Sequence, residues 1–317
     1  MDINQYNVLR ESGAGFYEQK RGLIEVSGAE AVMFLNGLIT NDVAKLEKGS
    51  WMLAAFPNAQ GRLLAIVRVL KLNDKFLFDT DATTYEKVLQ NLSRFTLAGD
   101  FKVNDLTENF SCLSIRGKLV QSSKLKFQSL GFPTSEIEIA TNDFNGENIF
   151  VIRAFRAEGF DIFAPKAQAG NFINKLKSLE AIPISEETLE VLRVENGEPK
   201  YGIDIDETTV VLETGLDEAV SFNKGCYIGQ EIIARIHFRG HIAKKLTGLI
   251  LETEAKPNDE LKSLEGKSAG RITSVAFSPK LEKHIALAFV RYEFLAEGTE
   301  LKVSDSQATV KNLPFVS

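Results

Sequence analysis

The texture of the chain changes near Gly240, and that change limits the folds it can take. Before it, strand-like and helix-like apolar periods alternate. After it, only short β-like runs remain. Residues 23–26, 51–56, 62–72 and 75–78 read as strands, and 101–103 as one more. Helices are predicted over 29–38 and 81–95, the second carrying Val88, Leu92 and Phe95 as an apolar stripe at i, i+4 and i+7. A second pass follows: a strand at 110–115, a helix at 117–130, strands at 148–153 and 160–163, and a helix at 167–179. The similar order predicts two packed ferredoxin-like α+β subdomains, split near residue 105. Beyond residue 241 the β runs are 246–251, 270–277, 284–291, 300–303 and 308–311. Gly266, Gly270, Pro279 and Gly298 punctuate them. A small C-terminal antiparallel β-barrel is the expected reading. The fold class is therefore α+β, with domains at 1–240 and 241–317.

At 317 residues the chain is too long for one core. Its net charge of −6 argues against broad binding to nucleic acid or to an anionic membrane surface. One local basic stretch remains, Arg235, Arg239, Lys244 and Lys245 with His237 and His241, and a solvated surface reads equally well there. The sequence holds no apolar run near the ~18 residues that span a bilayer, and its start lacks a secretory pattern. With 2 cysteines, no disulfide framework is possible beyond a single pair. A reducing cytoplasm is the expected compartment. Cys112 lies in an apolar strand-like run and is expected in the core.

The other cysteine stands in Lys224-Gly225-Cys226-Tyr227-Ile228-Gly229-Gln230-Glu231. A cation beside a thiol favours the thiolate, and glycine allows close backbone approach. The residues alone admit two readings: a reactive sulfur on a tight turn, or a small buried cysteine. The stretch 232–236 that follows reads as a buried strand or the start of a buried helix. Cys226, His237 and His241 are potential soft ligands, but a closed zinc site needs four, and no metal site is read here. A third element is a helix from Ser185, a capping residue, with Glu186 and Glu187 in its first turn. Gly197 and Pro199 end it. Glu195 then falls in the last turn, where the helix dipole disfavours an anion. An exposed glutamate held by Arg193 or Lys200 is the plain alternative.

The cysteine motif, continued by Ala234-Arg235 and Phe238-Arg239-Gly240, resembles the signature of the YgfZ-type folate-binding proteins. These are relatives of the glycine-cleavage T-protein, an aminomethyltransferase. Other blocks resemble the same group in order. They are Phe34-Leu35-Asn36-Gly37-Leu38-Ile39-Thr40-Asn41-Asp42-Val43, Asn58-Ala59-Gln60-Gly61-Arg62, and Arg193-Val194-Glu195-Asn196-Gly197-Glu198-Pro199-Lys200-Tyr201-Gly202. Tyr201-Gly202-Ile203-Asp204-Ile205-Asp206 resembles T-protein more than some YgfZ sequences do.

The resemblance implies tetrahydrofolate, or a one-carbon derivative, as cofactor. It matches Glu195 to the acid that accepts the paired N–H groups of the pterin edge. Tyr201 and Tyr227 would offer aromatic faces, and Gly225, Gly229, Gln230, Glu231 and Arg235 would lie around the cofactor. Cys226 would be the working thiol, with Lys224 lowering its pKa. The implied role is an accessory factor for assembly or repair of iron–sulfur clusters in [4Fe–4S] enzymes, including those that thiolate tRNA. Its partners would be iron–sulfur enzymes or assembly proteins. The rival is a true aminomethyltransferase of glycine-cleavage type. T-protein places an aspartate near the reacting nitrogen, at the end of an N-A-x-x-x-x-K-D run. The matching stretch here begins Asp81-Ala82 and ends Lys87-Val88, and valine can move no proton.

Overall fold

The computed structural model describes residues 1–317 except 12, 95, 98, 119–138, 145 and 317. The chain opens with helix α1 (Ile3–Glu11), strands β1 (Gly15–Gln19) and β2 (Arg21–Ser27), and helix α2 (Ala31–Leu38). Strands β3 (Trp51–Pro57), β4 (Leu63–Lys71) and β5 (Lys75–Asp81) follow, then helix α3 (Tyr85–Ser93) and strands β6 (Lys102–Asp105) and β7 (Phe110–Arg116). Next come β8 (Ile139–Phe144), β9 (Glu147–Arg153), β10 (Gly159–Pro165), helix α4 (Lys166–Ser178), β11 (Ile182–Pro183) and helix α5 (Glu186–Asn196). Helix α6 (Gln230–Arg239) precedes β12 (Lys244–Leu251), β13 (Glu260–Ser263), β14 (Ser268–Ser278), β15 (Lys283–Arg291), β16 (Glu300–Val303) and β17 (Ser306–Lys311).

Two compact units emerge. The first comprises Met1–Phe56, Ala65–Thr188 and Ala219–Tyr227; the second, Pro57–Leu64, Leu189–Glu218 and Ile228–Ser317. Within the first, one sheet has the order β3-β4-β5-β2-β6 and the other β11-β1-β7-β10-β9-β8. Period 2 assigns the faces of the second sheet. Cys112, Phe163 and Phe150 lie opposite one another across β7, β10 and β9. They pack with Leu23, Leu70 and Leu77 of the first sheet. The intervening Leu113, Ile162 and Val151 turn the other way, onto Phe172 and Leu176 of α4. Both faces of these strands are thus buried, which is why they read as nearly continuous apolar runs. Each fully buried Phe or Leu contributes about 1.5–3 kcal/mol to this packing.

The barrel in the second unit closes in the order β12-β15-β14-β13-β16-β17, with β12 paired back to β17. Leu249, Leu251, Leu261, Ile272, Leu301, Val303 and Val310 fill it.

The expected class, two α+β sheets plus a small barrel, is the one found. The boundaries differ in places. The helix expected from 81 starts at Tyr85, because the Asp81 carboxylate takes the Thr83 amide and hydroxyl at 2.8 and 2.7 Å and shapes a turn. Phe95 lies outside the described residues, as does nearly all of the helix expected at 117–130. Strands β1, β8, β11 and β13 were not expected. β13 is four residues long, too short to display a period.

Candidate functional site

In the first unit, the turn that carries Cys226 rests on the chain that follows α2. Lys224 Nζ donates to the carbonyl oxygens of Ile39 and Asn41, each at 2.7 Å. The same ammonium stands 5.0 Å from the centroid of the Tyr227 ring, a cation–π distance. Tyr227 is 8% exposed, and burial pushes its phenol up to about 12. Gly225 and Cys226 between them are exposed. The reading of Cys226 as a small buried residue therefore fails: the residue is exposed, in an irregular stretch between the bend at 222–224 and the turn at 228–229. A methyl group added at Gly225 would meet nothing within 4 Å. Its lack of a side chain serves no packing inside the protein.

In the second unit, the tail of the motif closes on the Asn58–Arg62 turn. Gly229 has φ +78°, and a Cβ there would lie 2.4 Å from Asn58 O. Only glycine fits such an approach. Asn58 Oδ1 shapes the facing turn by accepting the amides of Gln60 and Arg62 at 2.9 and 3.0 Å. Gly61 in turn lies against Ile232 and Ile233. Two of the sequence blocks are thus physical neighbours. The stretch 232–236 is helical, but it is not buried: of α6 only Ile233 is buried, because the helix is amphipathic. Gln230 is half-buried, and Glu231 and Arg235 are exposed. His237 meets the edge of Phe238, and His241 packs on Tyr292. Among the described residues no group of three or more His, Cys, Asp or Glu side chains is gathered as for a metal ion.

Helix α5 starts as its sequence dictates. Ser185 Oγ accepts the Thr188 amide at 3.3 Å, and Gly197 beyond the last turn has φ +69°. Glu195 is not the exposed, Arg-held residue of the plain reading. It is 0% exposed, and the buried hydroxyl of Ser278 donates to its Oε1. Arg193 goes elsewhere: to Asp204 at 2.7 Å, to Glu190 at 2.6 Å and to Ser274 at 2.6 Å. Asp204 also accepts the hydroxyls of Thr273 and Ser274 on β14. Arg193, at the head of one sequence block, and Asp204, just beyond its end, thus lock the end of α5 to the barrel strand. Tyr201 is half-buried in the turn between them, bridged to Ile205. Ser278, Thr273 and Ser274 were missed in the sequence because each is a lone hydroxyl in a strand, far from its partner along the chain.

In the first unit, Val88 is fully buried on α3. Three acids of the same unit have partners of their own: Asp79 with Arg21 and Arg68, Asp81 with Thr83, and Asp105 with the Tyr85 hydroxyl. Asp79 belongs to a buried set that joins the two sheets. Arg68 also reaches Asp161 at 2.7 Å, and Arg116 reaches Asp161 at 2.8 Å. Burial works against the Asp161 carboxylate, but Arg116 and Arg68, with the Ser114 hydroxyl, hold it well below the usual carboxylate range.

An α+β pair of sheets with a closed antiparallel barrel is a T-protein-like architecture. The family models agree: the GCVT N-terminal domain matches residues 4–224, and the glycine cleavage T-protein C-terminal barrel domain matches 244–316. The chain belongs to the glycine-cleavage T-protein family. Its similarity to a chloroplastic protein of Arabidopsis thaliana described as a candidate transferase is 26% identity over 93% of this chain and 69% of that one. The aminomethyltransferase of Thermoanaerobacter pseudethanolicus is 24% identical over 99% of this chain and 86% of its own length. That of Rubrobacter xylanophilus is 28% identical over 98% and 84%. The solved structure of aminomethyltransferase T from Bartonella henselae superposes with a TM-score of 0.88 at 22% identity, over 99% of this chain and 89% of that one. That likeness fixes the fold.

Proposed function

We propose that this protein binds tetrahydrofolate, the cofactor of its family, through Glu195. We propose further that it works with Cys226 as a YgfZ-type accessory factor in the assembly or repair of iron–sulfur clusters. The chemistry suits the cofactor, since a pterin edge presents N–H donors that a carboxylate accepts; Glu195 is fully buried against the Ser278 hydroxyl, so binding there would need it to open toward the folate. The folate would supply a carrier for one-carbon groups. Tyr201 and Tyr227, with Gly225, Gly229, Gln230, Glu231 and Arg235, would complete its surroundings, and 1–240 would form the folate-binding region. Iron–sulfur enzymes, among them those that thiolate tRNA, would be the clients, in the cytoplasm.

The observation that carries this choice is Val88. It is buried at the position that the resemblance matches to T-protein's proton-handling aspartate. Cys226, by contrast, is an accessible thiol. A second reading is aminomethyl transfer, and the relatives' names support it more directly than the first. One pair of assays separates them. The first reading expects no tetrahydrofolate-dependent ammonia release from an aminomethylated carrier protein. It also expects that Cys226→Ser fails to restore iron–sulfur enzyme activity in a strain lacking the protein. Robust ammonia release would establish the second reading instead.

A further inference from the structure

The backbone on both sides of Cys226 is fixed while the residue itself is open to solvent. Approaching from Ala219, the segment is laid onto the loop after α2. Thr40 Oγ1 donates to Ala219 O at 2.6 Å, and the Ser221 amide donates to Thr40 O at 2.9 Å. Lys45 Nζ donates to Asn223 O at 3.2 Å. Lys224 makes the last and strongest attachment before the cysteine, to the carbonyls of Ile39 and Asn41. The receiving loop is itself rigid. Asn36 Nδ2 donates to Asp42 Oδ1 at 3.0 Å, its Oδ1 accepts the Val43 amide at 2.9 Å, and Asn41 Nδ2 donates to Leu53 O at 2.8 Å. On the far side of Cys226, Tyr227 is buried with the Lys224 ammonium over its ring. Burial draws the Lys224 pKa down to about 8, with Asp42 opposing; this ammonium faces carbonyls more than water.

We propose that Lys224 is a positioning residue: through Ile39, Asn41 and the Tyr227 ring, its ammonium holds the exposed stretch at Gly225 and Cys226 in one place. The thiol is then presented ready-placed to whatever meets it, and fixing it costs no further entropy at the encounter. The inference rests on the working role of Cys226 only for its effect on activity. The immobility of the turn is read separately, so the two can fail independently.

The test is a nitroxide label on Cys226 of the whole protein, Cys112 being buried and closed to the reagent. The wild-type label gives an immobilised spectrum. Lys224→Met gives the sharp lines of a loop moving on the nanosecond scale, and Lys224→Arg, which keeps a charged donor for both carbonyls, restores much of the immobilisation. Activity falls with Lys224→Met by up to about 10²-fold, the scale for a group displaced by about 1 Å. An equally immobile label in Lys224→Met overturns the proposal. So does a pH–rate profile for Cys226 alkylation that moves upward while the spectrum is unchanged, for Lys224 would then act through its charge on sulfur. Should Lys224→Met fail to fold, hydrogen exchange on the wild type decides. The clamp predicts a protected Ser221 amide, and exchange at the free-chain rate refutes it.

Discussion

Cys226 and Cys112 carry the same thiol in opposite surroundings. Cys112 is enclosed between the two sheets, and burial, reinforced by Asp161 and Asp79, pushes its pKa well up. Only the thiolate reacts, so Cys112 is doubly protected, by access and by protonation. Iodoacetamide at neutral pH is therefore expected to label Cys226 first and nearly alone in the folded protein, with Cys112 reacting only on unfolding. Peptide mapping after a timed quench checks this; equal labelling would contradict it. The motif's glycines divide in the same way. At Gly229 the left-handed backbone alone disfavours alanine by about 1–2 kcal/mol, and the 2.4 Å approach to Asn58 O adds to that. Gly225 has room on every side. Gly229→Ala is expected to lower the denaturant midpoint clearly. Gly225→Ala is expected to leave it unchanged or raise stability by about 0.4–1 kcal/mol, by restricting the unfolded chain. The reverse order would show that the turn is built otherwise.

Strands β4, β5, β7 and β10 meet through charge as well as through apolar side chains. Arg68 lies in the run Ala65-Ile66-Val67-Arg68-Val69-Leu70, where a lone arginine reads as a solvent-facing break. Its partners Asp79 and Asp161 lie on other strands, and no local signal announces them. Removing one partner of such a buried set costs about 3–5 kcal/mol, and Asp161→Asn is expected to do so. The pH dependence has a definite sign. Asp161 has its pKa depressed in the folded state, so its stabilisation is complete above the ordinary carboxylate value of about 4. It is lost as pH falls from there toward the lower folded value. Urea midpoints of wild type and Asp161→Asn should therefore converge as pH is lowered from 6 to 3; a constant gap would contradict the network. Helix α5, by contrast, was legible at both ends, because Ser185 and Gly197 act within one turn of themselves. α6 was legible neither in type nor in burial: Ile232, Ile233 and Ile236 suit a buried strand or a buried helix alike, and the helix buries only Ile233.

Over the whole molecule, what could be read was what repeats or acts locally. The alternation of strands and helices gave the two sheets. The β-only texture after Gly240 gave the barrel, less β13 with its four residues. The site was legible as sequence blocks and not as contacts. Lys224 meets carbonyls 185 and 183 positions away, Gly229 meets Asn58, and Glu195 meets Ser278, 83 positions on. Backbone carbonyls and single hydroxyls leave no trace in a sequence. The fate of Glu195 is the main lesson: its place in the last turn of α5 runs against the helix dipole, and the structure buries it completely instead of exposing it. A buried carboxylate so placed is the feature on which the folate reading depends most. Titration calorimetry of tetrahydrofolate into wild type and Glu195→Gln tests it directly, since glutamine keeps the shape and an acceptor for Ser278 but loses the charge. The account predicts saturable binding to wild type, weakened in the variant by roughly 1.5–3 kcal/mol, the scale for a hydrogen bond to a charged group. Equal affinity in a folded Glu195→Gln variant, or no binding to wild type, would contradict it.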